Sequence, residues 1–201
     1  MSGNRDARRL MSVEEYLQFE ESSPLRHEYV AGEVYAMPDV TLRHNRISLN
    51  IATRLDSTAG DGPCRVCFTE VRLRASDTTY YYPDVMVVCG AVDESDIIVR
   101  EPCVVVEVTS PSTARIDRGE KLAAYRDVPS LLAYLIVDHR RRRVERHWRD
   151  DLASPWKRED IMGDGAVAVP CLEADLTLDE IYRGVDLATI AEPDAEEYEV
   201  A

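Results

Sequence analysis

The 201 residues predict a single α/β domain with a mixed central β-sheet flanked by helices, and three features carry that expectation. Pro83–Cys89, Cys103–Val108 and Leu131–Val137 are nearly continuous apolar runs rich in Val and Leu, the pattern of strands buried on both faces. The stretch 114–126, between the last two runs, reads as a helix and completes a β-α-β crossover. Ile47, Ile51 and Leu55 recur at four-residue spacing within Leu42–Leu55, which marks a second, amphipathic helix.

The remaining elements follow in chain order. Residues 1–11 form an N-terminal extension, 12–186 the domain and 187–201 an acidic, solvated tail. Ser12-Val-Glu-Glu15 is a capping box that opens a short helix with Val13, Tyr16, Leu17 and Phe19 as its apolar set, and Ser22-Ser-Pro24 ends it. Tyr29–Met37, with Gly32 inside, reads as two short strands around a turn. Gly60-Asp-Gly-Pro63 is a loop, and Val66–Leu73 alternates as one strand. Arg140–Trp148 reads as the return strand of a hairpin, Trp156–Ile161 and Ala166–Val169 as weaker strands, and Leu178–Tyr182 as a last helical turn.

Composition narrows the partners. A net charge of −14 and a pI near 4.7 argue against a protein that coats nucleic acid or an anionic membrane with its whole surface. Of the 24 basic residues only Lys121 and Lys157 are Lys. The N-terminal residues carry no apolar stretch behind their arginines, and Leu131–Val137, the longest apolar run, is far too short to span a bilayer, so the expectation is a soluble, cytoplasmic protein with no membrane partner. The cysteines, at 64, 67, 89, 103 and 171, number five and form no even framework. Cys64 and Cys67 have CxxC spacing, but on a strand they face opposite sides, so reduced, partly buried thiols are expected rather than a metal or redox site.

A single carboxylate in an apolar strand is costly unless it is paired or holds a metal. Asp84 stands at the entrance of the Pro83–Cys89 strand and Glu107 in the body of the Cys103–Val108 strand. On neighbouring strands the two can converge on one divalent cation, an arrangement suited to Mg2+. Lys121 lies on the helix directly after the Glu107 strand, where Asp117, Lys121 and Tyr125 share a stripe. Its ammonium there can orient an attacking water and stabilise charge developing on a phosphate.

Pro83-Asp84, Glu107-Val-Thr-Ser-Pro-Ser-Thr, Lys121 with Tyr125, and Leu135-Ile-Val-Asp138 together resemble the Uma-type family of restriction-endonuclease-like proteins, within the PD-(D/E)xK nuclease superfold. The similarity continues upstream through His27-Glu28-Tyr-Val-Ala-Gly-Glu33-Val-Tyr and His44 and spans residues 12–185. The resemblance implies a restriction-endonuclease-like fold and a Mg2+- or Mn2+-dependent DNA endonuclease. It implies that Asp84, Glu107 and Lys121 are catalytic, and that Asp84, Glu107, the backbone carbonyl of Val108 and Glu28 surround the metal. The usual lysine two residues after the glutamate is replaced here by Thr109, with Lys121 as the displaced equivalent. His44 reads as a helix cap or a supporting group, and His27, His139 and His147 join no constellation.

Charge counted by segment admits a DNA partner. Residues 115–149 carry a net of +5, against −12 for 150–201. Arg140 and Arg142 in that block, with Arg72 and Arg74 beside the Asp84 strand, are the candidate phosphate contacts. The other courses for the Arg140–Arg143 block are to stand as a solvated hairpin turn or to pair with the acidic C-terminal part or a second subunit. A homodimer is expected by analogy with similar nucleases and from unpaired hydrophobic strand edges. The competing functions are a catalytically silent DNA-binding or protein-interaction module and a hydrolase of a small phosphorylated metabolite.

Overall fold

In the computed structural model, which describes residues 10–110 and 113–187, two mixed sheets share the load that the sequence assigns to one. The expected extension and acidic tail lie almost wholly outside the described residues. Helix α1 (Val13–Ser22) starts with both bonds of the capping box, Glu15 N to Ser12 Oγ at 3.2 Å and Ser12 N to Glu15 Oε2 at 2.8 Å. Its Tyr16 is fully buried and stacks on Tyr29 at 4.8 Å. Strands β1 (His27–Val30) and β2 (Glu33–Ala36) form the predicted hairpin. Its two turn residues, Ala31 and Gly32, both have positive φ, 48° and 99°, as a tight two-residue turn demands. Helix α2 (Leu42–Ala59) is capped by Thr41 and buries Ile47, Ile51 and Leu55 against the larger sheet.

The strand expected over Val66–Leu73 is two strands. Strand β3 (Cys64–Phe68) belongs to the larger sheet and β4 (Arg72–Ser76) to the smaller. Between them Thr69 and Glu70 take left-handed backbone angles, φ 45° and 48°, which turn the chain from one sheet to the other. Strand β5 (Thr79–Tyr81), absent from the sequence expectation, pairs with both β1 and β4. Strands β6 (Val85–Cys89), β7 (Ile98–Val99), β8 (Pro102–Thr109) and β9 (Ala133–Asp138) follow, then β10 (Arg143–Trp148) and β11 (Lys157–Met162). The orders are β2-β1-β5-β4-β7 and β11-β10-β9-β8-β6-β3, and β8 and β9 are the parallel pair of the larger sheet. A third, two-stranded piece joins β12 (Ala166–Val169) to β13 (Ala174–Thr177), and α5 (Leu178–Ile181) closes the described chain.

The β8–β9 crossover is helical from 114 to 126 but not uniformly α-helical. Between α3 (Ala114–Ile116) and α4 (Leu122–Arg126), Asp117–Lys121 adopts the wider π geometry. Alternation along β8 places Val104, Val106 and Val108 in the core under α2, and Val105 in the core on the other face with Tyr125 and Tyr134. Glu107 therefore shares the Val105 face, beneath the crossover helix.

One further expectation, that of reduced thiols, is revised. Four of the five cysteines are joined as Cys64–Cys89 and Cys103–Cys171, and Cys67 is free. CxxC spacing hid the first pair because Cys64 lies directly across from Cys89 in the β3–β6 register. The edge strand β11, Lys157-Arg-Glu-Asp-Ile-Met, is charged and mostly exposed, which protects rather than offers that edge. Lys157 sits there, paired with Asp150 at 2.5 Å. No helix among the described residues is long and apolar enough to cross a membrane.

Candidate metal centre

The antiparallel β6–β8 register pairs Val85 with Val106, so the next position sets Asp84 opposite Glu107. Asp84 Oδ2 accepts the backbone N–H of Val108 at 2.7 Å and lies 3.3 Å from His44 Nε2. Glu107 Oε1 accepts from Lys121 Nζ at 3.0 Å and from the Tyr125 hydroxyl at 2.7 Å. Lys121 Nζ also reaches Glu28 Oε1 at 2.8 Å and stands 3.9 Å from Asp117 Oδ1. Glu28, His44, Asp84, Glu107, Val108, Asp117 and Lys121 all line one cleft of about 320 Å³. Strand alternation thus aims Glu107 at the crossover helix, and the helix stripe answers with Lys121 and Tyr125.

Four carboxylates here face one ammonium, and their protonation reports the imbalance. Burial, then the neighbouring Asp117, Asp84 and Glu28, push the Glu107 carboxyl well above the usual carboxylate range against the opposing pull of Lys121. Burial likewise raises Asp117 to about 6, again opposed by Lys121. Lys121 is held well above its ordinary value: burial works against the charge, but Glu107, Glu28 and Asp117 outweigh it. It is a fixed cation, not a base. His44 is raised despite burial, through its bonds to Asp84 and the Val108 carbonyl. Asp117 Oδ1 is buried with no hydrogen-bond partner among the described residues. An excess of buried carboxylates, one of them with an orphaned oxygen, is a donor set fitted to a hard divalent cation.

The sequence expectation undercounts this site. By sequence Asp117 is only a companion of Lys121 on the helix, yet it lines the same cleft. His139, which joins no constellation by sequence, follows Asp138 at the end of β9, at this end of the sheet but not in the lining of the cleft. It is buried, its Nδ1 has no hydrogen-bond partner among the described residues, and burial lowers its basicity. Only the strand register brings it to this end of the sheet. Thr109, where the superfold's lysine would stand, is buried.

The arginines divide. Arg72 is buried, bonded through Nε to the Tyr82 hydroxyl at 2.9 Å and packed over the Tyr16 and Tyr82 rings, so it is a core residue and not a phosphate contact. Arg74 pairs with Asp77 at 2.6 Å. Arg142 pairs with Asp179, Arg143 with Asp160 and Arg146 with Glu159, so much of the basic block is neutralised within the chain. Arg149 is spent on the carbonyls of Leu131, Leu152, Val128 and Pro129. Arg140 lies in the β9–β10 turn, at the same end of the sheet as the carboxylates, where its backbone N–H bonds Asp138.

Comparison with known proteins follows the same outline. The Uma2 family, described as "Putative restriction endonuclease", matches residues 13–180. Two proteins of Synechocystis sp. (strain ATCC 27184 / PCC 6803 / Kazusa), sll1609 and slr1290, are each 32% identical to this chain, over 162 and 177 residues. Those alignments cover 79% and 87% of this chain and 91% and 93% of the relatives. Among solved structures, a "putative nuclease belonging to DUF820" from Anabaena variabilis ATCC 29413 superposes with a TM-score of 0.72. It is 16% identical and the match covers 86% of this chain and 97% of that one, a likeness of fold.

Proposed function

The chain belongs to the Uma2 family of restriction-endonuclease-like proteins, and from that premise we propose that it is a divalent-metal-dependent endonuclease that hydrolyses phosphodiester bonds in DNA. The observation that carries the proposal is the meeting of Asp84, Glu107 and Lys121, from two strands and the crossover helix, in one carboxylate-rich cleft. Asp84 and Glu107 would hold Mg2+ or Mn2+, with Glu28, Asp117 and the Val108 carbonyl around it. The ion supplies Lewis acidity and neutralises charge at the phosphate. Lys121, locked as an ammonium by Glu28 and Glu107, orients the attacking water and stabilises negative charge on the phosphate. One P–O bond forms as the opposite P–O bond breaks, and the leaving oxygen departs in line. Arg140, at the same end of the sheet, would meet the DNA backbone. The proposal extends to a homodimer acting in the cytoplasm.

Plasmid and single-stranded DNA incubated with the purified protein and Mg2+ or Mn2+ test this, alongside Asp84→Ala and Lys121→Ala. Each variant should lose about 100-fold or more in rate. Cleavage unchanged in both would overturn the site. A second reading, a silent DNA-binding or protein-interaction module, draws on Thr109 in the usual lysine position and on the net charge of −14. Salt-sensitive DNA binding without any cleavage would favour it.

A further inference from the structure

Four sulfurs from four separate segments meet at the end of the larger sheet remote from the carboxylates. Cys64 comes from β3, Cys89 from the end of β6, Cys103 from the start of β8, and Cys171 from the short 3-10 turn Pro170–Leu172. Cys103 precedes Glu107 by four strand residues, about 13 Å. The two disulfides are in contact with each other: Cys89 Sγ lies 3.6 Å from Cys103 Sγ, which belongs to the other pair. The sulfurs of Cys89, Cys103 and Cys171 all lie within 4.8 Å of one another. The β6–β8 pairing, which sets Val88 opposite Pro102, brings Cys89 beside Cys103, and Cys64 joins the group through Cys89. The 3.6 Å between the Cys89 and Cys103 sulfurs is close to the spacing of about 3.8 Å that a metal–sulfur bond of about 2.3 Å sets between thiolates around one tetrahedral ion.

We propose that the reduced chain binds one Zn2+ through Cys64, Cys89, Cys103 and Cys171, and that the two disulfides are the metal-free, oxidised form of the same site. The donors are all sulfur, and Cys64 and Cys103 are embedded in apolar core, a setting that selects a borderline-soft ion over Mg2+. Each disulfide takes two electrons and two protons from a dithiol reductant, which leaves as its own disulfide. The four thiols then release up to four protons as they bind the ion. In a reducing compartment the thiol form is the one that persists. Cys67, on the opposite face of β3 and packed into the other core, takes no part. The site is structural: it ties β3, β6 and β8 to the turn before β13, and it does not rest on the nuclease reading.

The full chain, reduced with a phosphine under anaerobic conditions and freed of reductant, is titrated with Zn2+ or Co2+ alone. The expected result is one tightly held ion per chain and, with Co2+, the intense near-ultraviolet absorption of thiolate ligation. That absorption should survive Cys67→Ser and the Asp84→Asn/Glu107→Gln double variant, and vanish in Cys103→Ser and Cys171→Ser. Wild-type protein supplies a readout that no folding defect can mimic. Zn2+ should slow alkylation of residues 64, 89, 103 and 171 by about 10-fold or more while leaving Cys67 unchanged. Absence of thiolate absorption in the reduced wild type, or alkylation at the four positions indifferent to Zn2+, would overturn the proposal.

Discussion

Lys121 Nζ lies 3.0 Å from Glu107 Oε1, with both side chains almost wholly buried. The same ammonium serves Glu28 and approaches Asp117, so its removal strands three acidic groups at once. Lys121→Met should lower stability in the absence of divalent cations by about 3–5 kcal/mol, the range for breaking a buried ion pair. Lys121→Met/Glu107→Gln should recover part of that loss, since the carboxylate that Lys121 contacts inside the β8 strand is then neutral. Urea melts in EDTA check both, and a single variant that melts with the wild type would refute the coupling.

Asp117 makes the opposite prediction. Its folded-state pKa is near 6 against an ordinary 3.8, so the fold holds a proton that the unfolded chain gives up. Stability therefore falls as pH rises through that window, and the penalty is fully present at neutral pH. Asp117→Asn should stabilise the metal-free protein at pH 7 by roughly 2–3 kcal/mol. The same substitution should shrink the stabilisation that Mn2+ confers on the wild type. Paired melts with and without Mn2+ separate the two effects, and an equal Mn2+ response would remove Asp117 from the centre.

Away from the cleft, Glu145 on β10 gathers His147 at 2.7 Å, Arg158 at 3.0 Å and Arg118 at 3.1 Å. Burial resists its ionisation, but these bonds prevail and hold the carboxyl at about 2, below its usual 4.5. The stability it contributes is complete above pH 4.5 and is lost as pH falls toward 2, on the order of 3 kcal/mol in total. Glu145→Gln should flatten the acid limb of the stability profile between pH 5 and pH 3. A profile as steep as the wild type's would assign acid lability elsewhere.

If DNA is the substrate, Arg140→Ala should weaken binding evenly across sequences and reduce the slope of log affinity against log salt by about 1. Arg146→Ala should leave that slope unchanged, because Arg146 is held by Glu159 at 2.9 Å and stacks over Trp148. Binding isotherms at three salt concentrations decide between them. Equal effects would mean that the basic block acts through net charge alone.

What could be read from the residues, and what could not, follows from the range of the interactions. Asp84 and Glu107 stand out locally, as charges in Val-rich strands, and Lys121 stands out by rarity and position. Asp117 was visible as its helical neighbour, but its burial depends on Tyr134, whose hydroxyl bonds the Asp117 carbonyl from β9. His139 depends on the β8–β9 register. The break at Thr69–Glu70 has no residue signature, since neither is Gly or Asn, and the alternating pattern runs straight through it. The cysteine pairs join residues 25 and 68 positions apart, across elements whose adjacency no local spacing encodes. Lys157 belongs to the edge of the larger sheet, a role that exists only once strand order is known.

The wide turn at Asp117–Lys121 has a consequence for residue counting. A π turn holds one residue more than the α turn it replaces, and each residue of an α-helix rotates the next by about 100°. Removing Gly119 would let 114–126 relax toward a regular α-helix. Asp117 would then stand three residues before Lys121 instead of four, still its neighbour on the helix surface but turned about the axis relative to Lys121 and Tyr125. The centre is thus written partly in chain length: a one-residue deletion that touches none of the charged side chains would change how its carboxylate and its ammonium are set against each other.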